Sequence, residues 1–85
     1  MALFYKTMSK KIKLIWDFRG PSALQTAEHH AIHLNEYLNL ENYVLQLTGF
    51  ESIDEFYSIA YIVVEEKDML KFRDKLKPHR GEWYE

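Results

Sequence analysis

His29 and His33, four residues apart and followed three residues later by Glu36, are the residues of this 85-residue chain with the plainest capacity for chemistry. Two imidazoles at i and i+4 on a helix grip a divalent ion such as Ni, Cu or Zn. A structural zinc takes four protein ligands and a catalytic zinc three, and the chain has no cysteine to supply the remainder. The order Glu28-His29-His30-Ala31-Ile32-His33 also lacks the HExxH arrangement that sets a base between two ligands. His29 and His33 are therefore candidate metal ligands that need Glu36, or the same residues of a second copy, to complete a site. A divalent metal is the one candidate cofactor. The competing reading is a solvated helix face that carries histidines, with His30 at the edge of a core.

These side chains depend on the element that presents them. Residues 22–40 keep an unbroken helical period, with Ala23, Leu24, Ala27, Ala31, Leu34 and Leu38 on one side and His30 and Glu41 at its margin. His29, His33 and Glu36 fall on the far side, beside Thr26 and Tyr37. Gly20-Pro21-Ser22 supplies a turn, a proline suited to a first turn, and a hydroxyl able to cap.

Before the helix, residues 11–18 alternate, with Ile12, Leu14, Trp16 and Phe18 on one face and Lys11, Lys13, Ile15 and Asp17 on the other, which predicts a strand. Residues 43–50 predict a second strand, with Gly49 marking a bulge or a close approach, and 51–54 a hairpin loop. Residues 55–64, rich in branched and aromatic types, predict a central third strand. A second helix is expected over 67–77, ended by Pro78, and the tail from His79 reads as a short edge strand or a docked segment. Met8-Ser9-Lys10-Lys11 looks like a natural start, so 1–8 is expected to be an N-terminal extension or extra strand and 9–85 a single domain. The order βαββα(β) predicts a ferredoxin-like α+β two-layer sandwich, an antiparallel sheet with two helices on one face.

Such a sheet should alternate apolar and polar residues, yet the third strand is apolar on both faces: Phe56, Ala60, Ile62 and Val64 on one, Tyr57, Ile59, Tyr61 and Val63 on the other. Two helices cover only one face. With Ile15, Val44 and Phe50 on the other, an apolar patch would be exposed in a monomer, which predicts a homodimer joined sheet to sheet or through edges. Asp17, Gln46, Tyr57 and Tyr61 would then be polar groups in an apolar wall, the composition of a small-molecule site. The expected function is a small dimeric ligand-binding or regulatory module acting through that second face. The alternative is a small enzyme of the dimeric α/β-barrel type, with Asp17 as base, the tyrosines orienting a substrate, and His30 or His79 carrying protons. No triad spacing, phosphate loop or metal triad names a reaction, so no catalytic residue is assigned.

A net charge of −2 and a pI near 6.1 argue against nucleic acid and anionic membranes as partners. The strand order and the aromatics of strand three resemble the RNA-recognition-motif domain, but Asp54 and Glu55 stand where its signature needs a basic residue and glycine. No long apolar run or signal-peptide pattern is present, so a cytoplasmic location is expected.

Overall fold

The computed structural model describes residues 10–84, and the expectation for 1–8 lies outside them. The alternating segment forms β1 (Lys11–Arg19), and Gly20, at φ +116°, turns the chain toward α1 (Ala23–Leu40). Then come β2 (Thr48–Asp54), β3 (Tyr57–Glu65), a 3-10 turn (Glu66–Asp68), α2 (Met69–Leu76) and β4 (Arg80–Tyr84). β1 and β3 pair along their whole length, from Lys11 opposite Glu65 to Arg19 opposite Tyr57. β2 adds to the free side of β3, and β4 to the free side of β1, from Lys11 opposite Tyr84 to Ile15 opposite Arg80. The sheet order is β2-β3-β1-β4 with every neighbouring pair antiparallel. This small α+β arrangement is compatible with a ferredoxin-like fold.

The core lies between the sheet and the helices. Ile12, Leu14 and Trp16 of β1 and Ala60, Ile62 and Val64 of β3 meet Ala27, Ala31, Leu34 and Leu38 of α1 and Phe72 of α2. Alanine at 27 and 31 brings the α1 backbone close to the strands, while the leucines fill the space further along. Trp16 Nε1 donates to Leu76 O at 3.2 Å and so ties the end of α2 to β1. Phe72 is fully buried, with Tyr37 and Tyr43 edge-on to its ring at centroid distances of 5.9 and 4.9 Å.

The second strand differs from the sequence-based expectation. It begins at Thr48 rather than at 43, because Tyr43 is drawn out of any strand and into the core. Its hydroxyl donates to Asp68 Oδ2 at 2.7 Å and accepts from Glu65 N at 2.9 Å. Asn42, at φ +53°, takes the chain out of α1, and 43–47 run as irregular backbone until Leu47 O accepts from Val63 N. The expected loop at 51–54 is strand, and the reversal is made by Glu55 and Phe56, where Asp54 Oδ1 accepts from Phe56 N at 2.9 Å. Phe50 pairs opposite Ala60 and lies on the helix side, not the second face, and Val44 sits exposed in the irregular segment. Ser22 makes no side-chain cap; its carbonyl accepts from Thr26 N instead. The second helix proper begins only at Met69, and Lys77, in the left-handed region at φ +54°, ends it before Pro78. Leu24, expected on the packed side of the first helix, is exposed.

The Tyr43 hydroxyl joins the 3-10 turn to the end of β3 through those two bonds. Tyr43→Phe keeps the ring against Phe72 and removes both, and is expected to lower the unfolding free energy in urea by about 1–2 kcal/mol. Tyr43→Leu, which also loses the edge-on contact, is expected to cost more.

Candidate functional site

On the second face of the sheet, β1, β3 and β4 bring Asp17, Tyr57 and Arg80 together. Tyr57 Oη donates to Asp17 Oδ1 at 2.5 Å, and Arg80 grips the same carboxylate with Nε and Nη2, each at 3.1 Å. Arg80 Nη2 also reaches Tyr57 Oη at 3.2 Å, and Nη1 donates to Glu82 Oε2 at 2.8 Å. The Arg19 guanidinium lies 3.9 Å from the centre of the Tyr57 ring. His79 completes the cluster by an unusual route. Its backbone N donates to Ile15 O, and its Nδ1 accepts from Asp17 N at 2.8 Å, where a further β4 carbonyl would continue the ladder.

Of the expected ligand-binding residues, the fold brings two into this cluster. Tyr61 is on the same face but further along, with the Lys13 ammonium 4.4 Å from its ring centre. The Tyr61 ring also crosses Gly49, where a Cβ would stand 2.5 Å from Tyr61 Oη, so the close approach expected at this glycine is present. Gln46 is elsewhere, exposed, donating to Tyr43 O. The exposed apolar patch is absent from the middle of this face, since Ile15, Ile59 and Val63 are 1%, 4% and 0% exposed within one chain. Among the described residues, Lys13, Arg19 and Arg80 extend across it.

His29, His33 and Glu36 are exposed on α1, and no group of three metal-capable side chains forms among the described residues. His30 is half-buried, its ring 4.8 Å from that of Trp16 and 5.5 Å from that of Phe18, and its Nε2 is buried with no hydrogen-bond partner among the described residues.

The helix side of the sheet holds a feature that sequence reasoning missed. Between α2 and β4 lies a groove of about 380 Å³, floored by Ile12, Leu14 and Gly81 and walled by Met69, Arg73 and Trp83. It exists because α2 has eight residues and because Gly81 carries no side chain over β1. A Cβ at 81 would touch Ile12 Cγ2 and Leu14 Cδ2 at 3.4 Å, so even a small side chain would start to fill the floor. The alternation of Arg80, Glu82 and Tyr84 against Gly81 and Trp83 is the signal in the tail that marks a strand. Nothing local in it points Arg80 at Asp17.

Electrostatics follow the geometry. The Arg80 hydrogen bonds hold the Asp17 carboxyl below its ordinary value against the opposing effect of burial, with Tyr57 helping, and Asp17 in turn raises Arg80. Burial lowers His30, and its neighbours His33 and His79 lower it further. Both titrations act on stability in the same direction. Folding favours neutral His30, so its contribution is complete above the unfolded value of about 6.5 and is lost as pH falls toward the folded value. Folding favours charged Asp17, so its contribution is present above about 3.9 and is lost as pH falls through the folded value. Unfolding free energy measured against pH is expected to fall in two acid steps, His30→Gln removing the first and Asp17→Asn the second. No protein-family model, no curated protein and no solved structure matches this chain.

Proposed function

We propose that this chain is a small ligand-binding module of ferredoxin-like fold, and that its site is the groove between α2 and β4. The carrying observation is the groove itself: an apolar floor with an aromatic wall at Trp83 and a few polar side chains, Arg73 among them, the composition of small-molecule sites. The expected second-face site is a weaker candidate, because Asp17 and Tyr57 already satisfy each other and Arg80. Gln46 stands apart from them, bonded to Tyr43 O.

The lining specifies the ligand class. Ile12, Leu14 and Met69 favour a flat apolar body, and the Trp83 indole offers it a stacking surface. Among the described residues Arg73 pairs with its neighbour Asp74, at 3.2 Å and in solvent, a pairing of little worth. Its guanidinium is therefore available to a carboxylate or sulfonate on the ligand, where a charge-assisted pair forms at the rim of an apolar surface. No proton-transfer role is required of any residue in this reading. His29 and His33, with two imidazoles, stay a surface pair.

The probe is 8-anilinonaphthalene-1-sulfonate, an aromatic sulfonate whose fluorescence rises in apolar surroundings. Saturable binding at one dye per chain is expected for the folded protein. Gly81→Val, which suits an edge strand and fills the floor, should abolish it without lowering the melting temperature. Arg73→Ala should weaken it about tenfold, the scale of one charge-assisted hydrogen bond. Dye binding indifferent to Gly81→Val would remove the groove as the site.

A further inference from the structure

We infer that β4 is the seam of a homodimer, in which two copies pair their β4 strands antiparallel about Gly81 and extend the four-stranded sheet to eight strands. This does not rest on the ligand reading.

The backbone makes the first part of the case. Ile15 O points toward β4, where it accepts from His79 N, so Ile15 and Arg80 are a pair whose peptide groups face each other. By alternation, Arg80, Glu82 and Tyr84 face β1, while the N–H and C=O groups of Gly81 and Trp83 point outward. Among the described residues none pairs with them. All five residues of β4 are exposed, and a strand edge in this state is a template for another strand.

Charge names the occupant. In an antiparallel pairing centred on Gly81, Arg80 of each copy stands opposite Glu82 of the other, so the edge is complementary to itself. Arg80 is also equipped for this. Of its five N–H donors, Nε and both Nη2 hydrogens serve Asp17 and Tyr57, and one Nη1 hydrogen serves Glu82, which leaves one for the second copy. The opposite edge of the sheet offers no such match. β2 carries Glu51 and Asp54 and no cation, so a second copy would meet like charge there. Pairing about Gly81 also sets Trp83, 58% exposed in one chain, beside His79 of the second copy, and brings the two α2–β4 grooves together across the two-fold axis.

Light scattering on the full chain should give twice the 10.2 kDa chain mass. Glu82→Arg, which sets arginine opposite arginine, and Gly81→Pro, which removes an outward N–H from the seam, should each give a monomer that still melts cooperatively. Because the chain has no cysteine, Gly81→Cys treated with a short bis-maleimide should yield a covalent dimer, and Ser52→Cys on β2 should not. A monomer at every concentration overturns the inference. So does a dimer whose mass ignores both β4 variants, or one that cross-links through Ser52→Cys instead. Dye binding in the groove is read separately, so either proposal can fail alone.

Discussion

Two helices of eighteen and eight residues share the cover of one four-stranded sheet, and most of the molecule's character follows from that inequality. A helix with its side chains is about 10 Å wide and strands lie about 4.8 Å apart, so each helix shelters about two strands across its width. α1 is long enough to do so along the strands over the β2–β3 half. α2 rises only about 12 Å along its axis, so it shelters one end of the β1–β4 half. Phe72 anchors it there, and Trp16 donates to its last carbonyl, that of Leu76. Beyond its reach that half of the sheet carries the groove lined by Ile12, Leu14, Gly81 and Trp83, and the shortness of α2 is its physical origin.

The opposite face shows how a sheet without a second helix layer manages its middle. Ile15, Ile59 and Val63 are buried there, and the polar groups around them are linked across three strands. One arginine from the edge strand reaches past β1 to a tyrosine of β3, using the β1 carboxylate as the bridge. The network adds side-chain ties to an edge strand of five residues whose backbone ladder runs to β1, so its value is mechanical before it is chemical. It is also self-contained, which is why polar residues on an apolar wall, a pattern shared with binding sites, need not be one.

Period alone made β1, α1 and β3 legible, because each buries a face whose spacing is regular over many residues. β2 was misplaced because residues 43–47 contain apolar residues with a strand-like rhythm. That rhythm is spent on a different task, since Tyr43 packs on Phe72 and its hydroxyl serves Asp68 and Glu65. The second-face position of Asp17 and Tyr57 was visible in the alternation of their strands. Their partner Arg80 was not, since it lies 63 residues from Asp17 and meets it only through strand register. The groove was the least legible feature, being an absence created jointly by a glycine and a short helix.

The His79 imidazole stands in for a backbone carbonyl, ending the β1–β4 ladder on a side chain. Position 79 is therefore answerable to main-chain geometry: a replacement must carry an acceptor at the same reach, as asparagine or aspartate would. Among relatives of this chain, a histidine that persists here, next to an invariant acid and arginine, would have the look of a catalytic triad. It would be recording the cost of an unpaired amide, and substitution patterns confined to short acceptor side chains would tell the two apart.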